Sequence, residues 1–159
     1  MRDVQLAQAV RLRETGELEQ ARVSLVELAA RHPDDAEVAY QTAWVHDALG
    51  LEAEAVPHYE RALAGQGLSA ADRLGAFTGF GSTLRVLGRV DDALETFRRG
   101  LLEFPGDAGL RTFTAMALHN AGRSGEAVTT LLKVVAESDK AGRYRRAIAY
   151  YADNLDETV

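Results

Sequence analysis

The stretch GRVDDALETF, residues 88–97, decides the fold of this chain because its pattern occurs four times. A glycine is followed five residues later by an alanine, and four residues after that by a bulky apolar residue. The other copies are GELEQARVSL at 16–25, GLEAEAVPHY at 50–59 and GRSGEAVTTL at 122–131. Successive copies are 34, 38 and 34 residues apart. A fixed period of this length is typical of stacked helical repeats.

Each repeat unit is predicted to form two helices. In the third unit, apolar residues recur at steps of three and four from Phe77 to Leu87, which indicates one face of a helix. Gly88 can adopt the left-handed conformation that ends this helix. Asp91 is the expected N-cap of the second helix. Pro105 ends that helix because proline has no amide hydrogen to donate.

The same pattern places helices along the whole chain and predicts no strand. The predicted helices span 3–14, 18–31, 35–48, 52–64, 70–86, 91–103, 108–120 and 124–137, with a terminal helix at 142–156. Four residues are added between the second and third units, where Ser69 and Asp72 resemble a capping box that lengthens the next helix by one turn. The terminal helix is expected to cover the last apolar face of the stack. Its apolar side is formed by Ile148, Tyr151, Ala152 and Leu155.

The repeated unit resembles that of tetratricopeptide repeat proteins. The third unit matches the family pattern best, through Phe77, Phe80, Gly81, Leu84, Ala93, Phe97, Gly100 and Pro105. The resemblance covers residues 2–139, and the repeats are placed at 2–35, 36–69, 74–107 and 108–141. It implies an all-α fold in a single domain over residues 1–159. The expected architecture is a right-handed superhelix of about four helical hairpins with a C-terminal capping helix.

Composition narrows the possible partners and locations. The net charge of −6, with 26% charged residues, favours a soluble surface and argues against nucleic-acid binding. The absence of cysteine excludes disulfides, thiolate metal sites and cysteine nucleophiles. The first residues do not resemble a signal peptide, and no stretch approaches the ~20 apolar residues of a membrane-spanning helix. A cytoplasmic protein that binds neither membranes nor nucleic acids is expected.

The resemblance places a binding groove on the concave face, lined by first-helix residues that the core pattern leaves free. The candidate groove residues are Leu6, Val10, Arg13, Tyr40, Trp44, Asp47, Thr78, Ser82, Arg85, Thr112, Met116 and His119. Tyr40 and Trp44 lie one turn apart and, with Leu6 and Val10, would form an apolar cluster facing the groove. Aromatic anchors of this kind dominate binding at many interfaces. The alternative is that Trp44 belongs to the core between units.

Three glycines of the third unit lie close together in its first predicted helix, at Gly75, Gly79 and Gly81. They do not form a phosphate-binding loop, since no strand precedes them and no Lys-Ser or Lys-Thr follows. A close approach of neighbouring backbones explains them better. By resemblance, two of these positions also belong to the basic clamp with which chaperone-binding family members hold a terminal carboxylate. The clamp positions here hold Leu6, Val10, Gln41, Gly75 and Gly79, so no such clamp is expected.

The expected function is non-catalytic binding of a protein or peptide in the groove. The four histidines lie in different predicted helices or turns without a recognised ligand spacing, so no metal or cofactor is expected. No arrangement of nucleophile, base and acid stands out, so the chain is not expected to be an enzyme. The alternative function is a structural subunit that associates with copies of itself as a homo-oligomer and has no separate peptide ligand.

Overall fold

The computed structural model describes residues 1–157, which form helices joined by short turns. The helices are α1 Arg2–Glu14, α2 Leu18–Arg31, α3 Ala36–Ala48, α4 Glu52–Ala64, α5 Ala70–Val86, α6 Val90–Glu103, α7 Ala108–Asn120, α8 Ser124–Glu137 and α9 Arg145–Asp153, with a 3₁₀ segment at Asp139–Tyr144. No strand occurs within residues 1–157. The all-α prediction is confirmed, and the first eight helices agree with their predicted bounds to within one residue.

The repeat glycines end the first helix of each unit. Gly16, Gly50, Gly88 and Gly122 have φ values of 86°, 71°, 78° and 76°, in the region that disfavours residues with a side chain. At Gly88 the following amide, that of Arg89, donates to the carbonyl of Leu84 at 2.8 Å, and the same bond forms in the other units. This geometry satisfies carbonyl groups that the helix end leaves free. The glycine spacing therefore determines where each hairpin turns.

Side-chain caps begin the first helices of the later units. Asp35, Ser69 and Asp107 each accept a hydrogen bond from the amide three residues further on, at 3.0, 3.0 and 2.8 Å. Such caps satisfy amides that have no partner within the helix. The prediction for Asp91 is corrected, because α6 begins one residue earlier, at Val90, and has no side-chain cap.

The core runs through the stack and explains the small residues of the third unit. A Cβ on Gly81 would lie 2.2 Å from the ring of Phe97, and one on Gly79 would lie 2.4 Å from the hydroxyl oxygen of Tyr59. These glycines therefore give aromatic rings access to the backbone of α5. The sequence predicted close approach here, but side chains rather than another backbone fill the space.

The last helix differs most from expectation. It begins at Arg145 rather than at residue 142, since Gly142 has φ 52° and ψ −135° and interrupts the helical geometry. Helix α9 packs on α8, where the hydroxyl of Thr129 donates to the carbonyl of Ala152 at 2.9 Å. Ala152 is buried, but Tyr151 and Leu155 remain exposed. The expectation that the whole apolar side packs on the stack is therefore corrected.

Candidate partner-binding groove

An open cavity of about 410 Å³ lies along the first helices of the second, third and fourth units. Its lining consists of Trp44, Asp47, Ala48, Glu52, Tyr59, Thr78, Gly79, Ser82, Thr83, Val86 and Phe113. The structure thus brings together four predicted residues, Trp44, Asp47, Thr78 and Ser82. The lining contains no lysine, arginine or histidine. Its polar chemistry comes from carboxylates and hydroxyl groups, which suits recognition through hydrogen bonds.

Trp44 is held in place by a cation from the first unit. The guanidinium carbon of Arg13 lies 3.4 Å from the centre of the Trp44 ring, and the ring of Tyr40 lies 5.7 Å away. The Arg13 side chain is only 7% exposed, and its nearest carboxylate, on Glu14, is 3.9 Å away. Burial lowers the pKa of Arg13. Trp44 itself is 43% exposed, so the indole is both fixed and accessible.

Asp47 is the most constrained polar group of the cavity. Its Oδ2 accepts hydrogen bonds from the hydroxyls of Tyr59 at 2.6 Å and Thr83 at 2.7 Å. Burial raises the pKa of Asp47, although the two hydrogen bonds oppose that change because they favour the ionised form. Asp47 belongs to α3, Tyr59 to α4 and Thr83 to α5. The carboxylate therefore joins three helices beneath the cavity and has a fixed orientation.

The predicted apolar cluster is not open to the groove, because its members differ in burial. Leu6 and Tyr40 are buried, and Val10 is half-buried against the core of the first unit. A Cβ on Gly75 would lie 2.2 Å from the hydroxyl oxygen of Tyr40, so the missing side chain lets that ring pack on α5. The placement of Leu6 and Tyr40 as groove-facing residues is corrected, and Trp44 is the large exposed residue of the predicted cluster.

The remaining predicted residues lie outside the cavity lining. Arg85 donates a hydrogen bond to Oδ1 of Asn120 at 3.2 Å. Nδ1 of His119 lies 3.0 Å from the hydroxyl oxygen of Ser124. Met116 is exposed, and Thr112 is half-buried with its hydroxyl donating to the carbonyl of Ala108. None of the four predicted residues Arg85, Thr112, Met116 and His119 contributes to the 410 Å³ cavity.

Sequence reasoning missed Phe113 and Glu52, which both line the cavity. Phe113 lies nine residues before Gly122, and the matching position of the third unit, nine before Gly88, is Gly79. The sequence signal that could have identified Phe113 is its position, which holds a glycine in the neighbouring unit. Glu52 gave no signal, since it is one of two acidic residues in the first turn of α4.

The comparisons with known proteins agree with this architecture. A family model described as Tetratrico peptide repeat matches residues 36–155. No curated protein matches the sequence. One crystal structure of MamA is 20% identical over 90% of this chain and 76% of its own, with a TM-score of 0.77. YrrB, described as a TPR protein with an unusual peptide-binding site, is 22% identical over 96% of this chain and 76% of its own, with a TM-score of 0.72.

The structural neighbours establish the superhelical repeat fold. The family match also establishes membership of the family, because it spans most of the chain. Within residues 1–157, none of the helices has the length and apolar character needed to cross a membrane. Members of the matched family are in general scaffolds for protein interaction. This chain belongs to the tetratricopeptide repeat family.

Proposed function

We propose that the cavity beside Trp44 binds a peptide segment of a partner protein. The single observation that carries this proposal is the state of Trp44, which is 43% exposed at the cavity yet fixed by Arg13. A tryptophan that served only as core would be buried like its neighbour Tyr40. Fixed aromatic side chains make good anchors because they lose little conformational freedom when a partner binds.

The lining also indicates which partner groups fit. An apolar side chain of the partner would lie between the rings of Trp44 and Phe113. The carboxylates of Asp47 and Glu52 would accept hydrogen bonds from amides or from a basic side chain. The lining holds both carboxylates and no basic residue, so a segment with N–H donors or positive charge is favoured over an acidic one.

The same composition supports a scaffold rather than an enzyme. Three groups of the lining, Asp47, Tyr59 and Thr83, already hydrogen-bond to one another in a network that joins three helices. Such an arrangement orients a binding surface. The general role of the family supports the same conclusion, and the description of YrrB shows that a protein of this fold can bind peptides.

The experiment starts from peptides selected on the intact chain from a random display library. The affinity of a selected peptide is then measured by calorimetry on the parent and on Trp44→Ala. Truncating a central aromatic anchor commonly costs about 2 kcal/mol or more, which corresponds to a roughly thirtyfold loss of affinity. Leu102→Ala is the matched control because Leu102 is an exposed apolar residue of α6 outside the cavity. Equal affinity for the parent and Trp44→Ala would rule out this site.

A further inference from the structure

The two ends of the repeat stack expose positions that the interior units bury. Val4 lies twelve residues before its repeat glycine and is 71% exposed. The matching residues of the later units are Val38, Ala76 and Leu110, and all three are fully buried. Each later unit packs against a preceding unit, whereas the helices of residues 1–157 leave the outer side of α1 uncovered. The outer side of α1 therefore holds the residue positions of an inter-repeat interface and is exposed among the described residues.

This N-terminal face is also concave. A cavity of about 600 Å³ lies on it, lined by Val4, Ala7, Gln8, Arg11, Leu12, Thr15 and Glu17. We define the N-terminal face by Val4, Ala7 and Gln8, which are all exposed.

The opposite end of the stack, at α8, also exposes apolar residues whose counterparts in the other units are buried. Leu131 lies nine residues after its repeat glycine and is 39% exposed. The matching residues Leu25, Tyr59 and Phe97 are buried. Val128 and Val135, three residues before and four after Leu131, are exposed as well. Residues at these spacings lie on one side of a helix, so the three form an apolar stripe, the C-terminal face.

Helix α9 does not cover the C-terminal face. Its contacts with α8 include the hydrogen bond from Thr129 and the ion pair between Lys133 and Asp153 at 2.7 Å. A helix turns about 100° per residue, so Thr129 and Lys133 both lie on the side of α8 opposite Leu131. Within residues 1–157, helix α9 therefore leaves the stripe of Val128, Leu131 and Val135 exposed.

The interior interfaces show how two such faces pack. The hydroxyl oxygen of Tyr59 lies 2.4 Å from the position that a Cβ on Gly79 would take, and the ring centres of Phe97 and Phe113 are 6.3 Å apart. In both pairs, the residue that lies nine positions after one repeat glycine contacts the residue that lies nine positions before the next repeat glycine. The same pairing between two copies would place Leu131 of one against Ala7 of the other. Ala7 is small and exposed, as a position that receives a bulky residue requires.

We propose that the chain associates head to tail, with the C-terminal face of one copy packed on the N-terminal face of another. The partner that packs on each face is a second copy of this chain, because its repeat pattern supplies both halves of the interface. The contact uses two different surfaces, so it is heterologous and can continue from copy to copy. It is separate from the cavity beside Trp44, so it extends the proposed scaffold and does not depend on the groove binding a peptide.

Two complementary variants test the proposal. Val4→Glu places a charge on the N-terminal face, and Leu131→Glu places one on the C-terminal face. We expect the parent to gain mass with concentration in light scattering, and each variant alone to remain a monomer. An equimolar mixture should form a dimer of twice the 17.3 kDa chain mass and nothing larger. Only one pair of intact faces exists in that mixture.

Controls separate this result from unfolding and from nonspecific charge effects. Leu102→Glu adds the same charge at an exposed apolar position in the middle of the array and should associate like the parent. Circular dichroism checks that each variant is folded, and Val128→Glu replaces Leu131→Glu if the latter unfolds. A parent that is monomeric up to its solubility limit would overturn the proposal. So would a mixture without dimers, or a single variant that still associates.

Discussion

The guanidinium of Arg13 stacks on the ring of Trp44, with 3.4 Å between the guanidinium carbon and the ring centre. The contact joins α1 of the first unit to α3 of the second. Nε of Arg13 is buried without a hydrogen-bond partner, so the indole provides its main stabilising contact. The attraction between the cation and the ring offsets part of the cost of burying the charge, and the stem of the side chain packs on the same ring. The stack therefore fixes the exposed residue on which the proposed peptide site depends.

The first prediction separates packing from charge at this contact. Arg13→Ala removes both, and we expect it to lower the free energy of unfolding by about 2 kcal/mol. Arg13→Met should cost less than half as much, because methionine still packs on the ring and carries no buried charge. Urea denaturation followed by Trp44 fluorescence measures both values. Equal losses in the two variants would show that the cation itself dominates.

The second prediction compares two helical glycines. Gly81→Ala should lower the free energy of unfolding by about 1–3 kcal/mol, since its Cβ would overlap the ring of Phe97. Gly125→Ala should raise it by up to about 1 kcal/mol, because no atom lies within 4 Å of the added Cβ and alanine favours the helix. Thermal unfolding of both variants checks this. A Gly81→Ala protein as stable as the parent would contradict the packing described for α5.

The third prediction concerns stability in mild acid. Burial lowers the pKa of His58 to about 4, with smaller contributions from Arg61 and from His46, whose ring is 5.2 Å away. The unfolded chain binds this proton near pH 6.5 and the folded chain only near pH 4. The contribution of His58 to stability is therefore present above pH 6.5 and is lost as the pH falls toward 4. We expect His58→Gln to flatten this part of the stability curve, measured by urea denaturation at each pH. A parallel curve for the variant would place the titration elsewhere.

The fourth prediction concerns Asp47, whose contribution to stability changes with pH in the opposite direction from that of His58. Burial raises the pKa of Asp47, so its contribution to stability is present at low pH and is lost as the pH rises through the raised value. The free energy of unfolding of the parent minus that of Asp47→Asn should therefore decrease as the pH increases from strongly acidic to neutral. Denaturant unfolding of the two proteins in matched buffers provides this difference. A difference that increases with pH would mean that the hydrogen bonds from Tyr59 and Thr83 outweigh burial.

The helices of this protein could be predicted from its sequence because their boundaries are set locally. The repeat glycine, for example Gly88, ends the first helix of each unit through its own backbone conformation. Asp107 caps α7 through a hydrogen bond to an amide only three residues away. The orientation of α9 could not be predicted in this way. It depends on the conformation of Gly142 and on which side of α8 accepts the helix, and neither is encoded in an apolar stripe.

The candidate site was only partly predictable for a similar reason. Helical spacing identifies Trp44 and Asp47 as residues left free by the core pattern, and both line the cavity. The same spacing failed for Tyr40, which is buried because a glycine on another helix, Gly75, makes room for its ring. Phe113 was missed because a residue of the fourth unit reaches a cavity centred on the third. Contacts between units depend on the size of residues that are distant in sequence.

The fluorescence of Trp44 during peptide titration tests the central claim most directly, because Trp44 is the only tryptophan in the chain. A selected peptide should shift the emission to shorter wavelength and reduce quenching by acrylamide. Both changes should follow a binding curve with the same affinity as that measured by calorimetry. Both changes follow if the peptide removes the exposed part of the indole from water. A peptide that binds saturably in the calorimeter and leaves the emission and quenching of Trp44 unchanged would contradict the assignment of this cavity as the binding site.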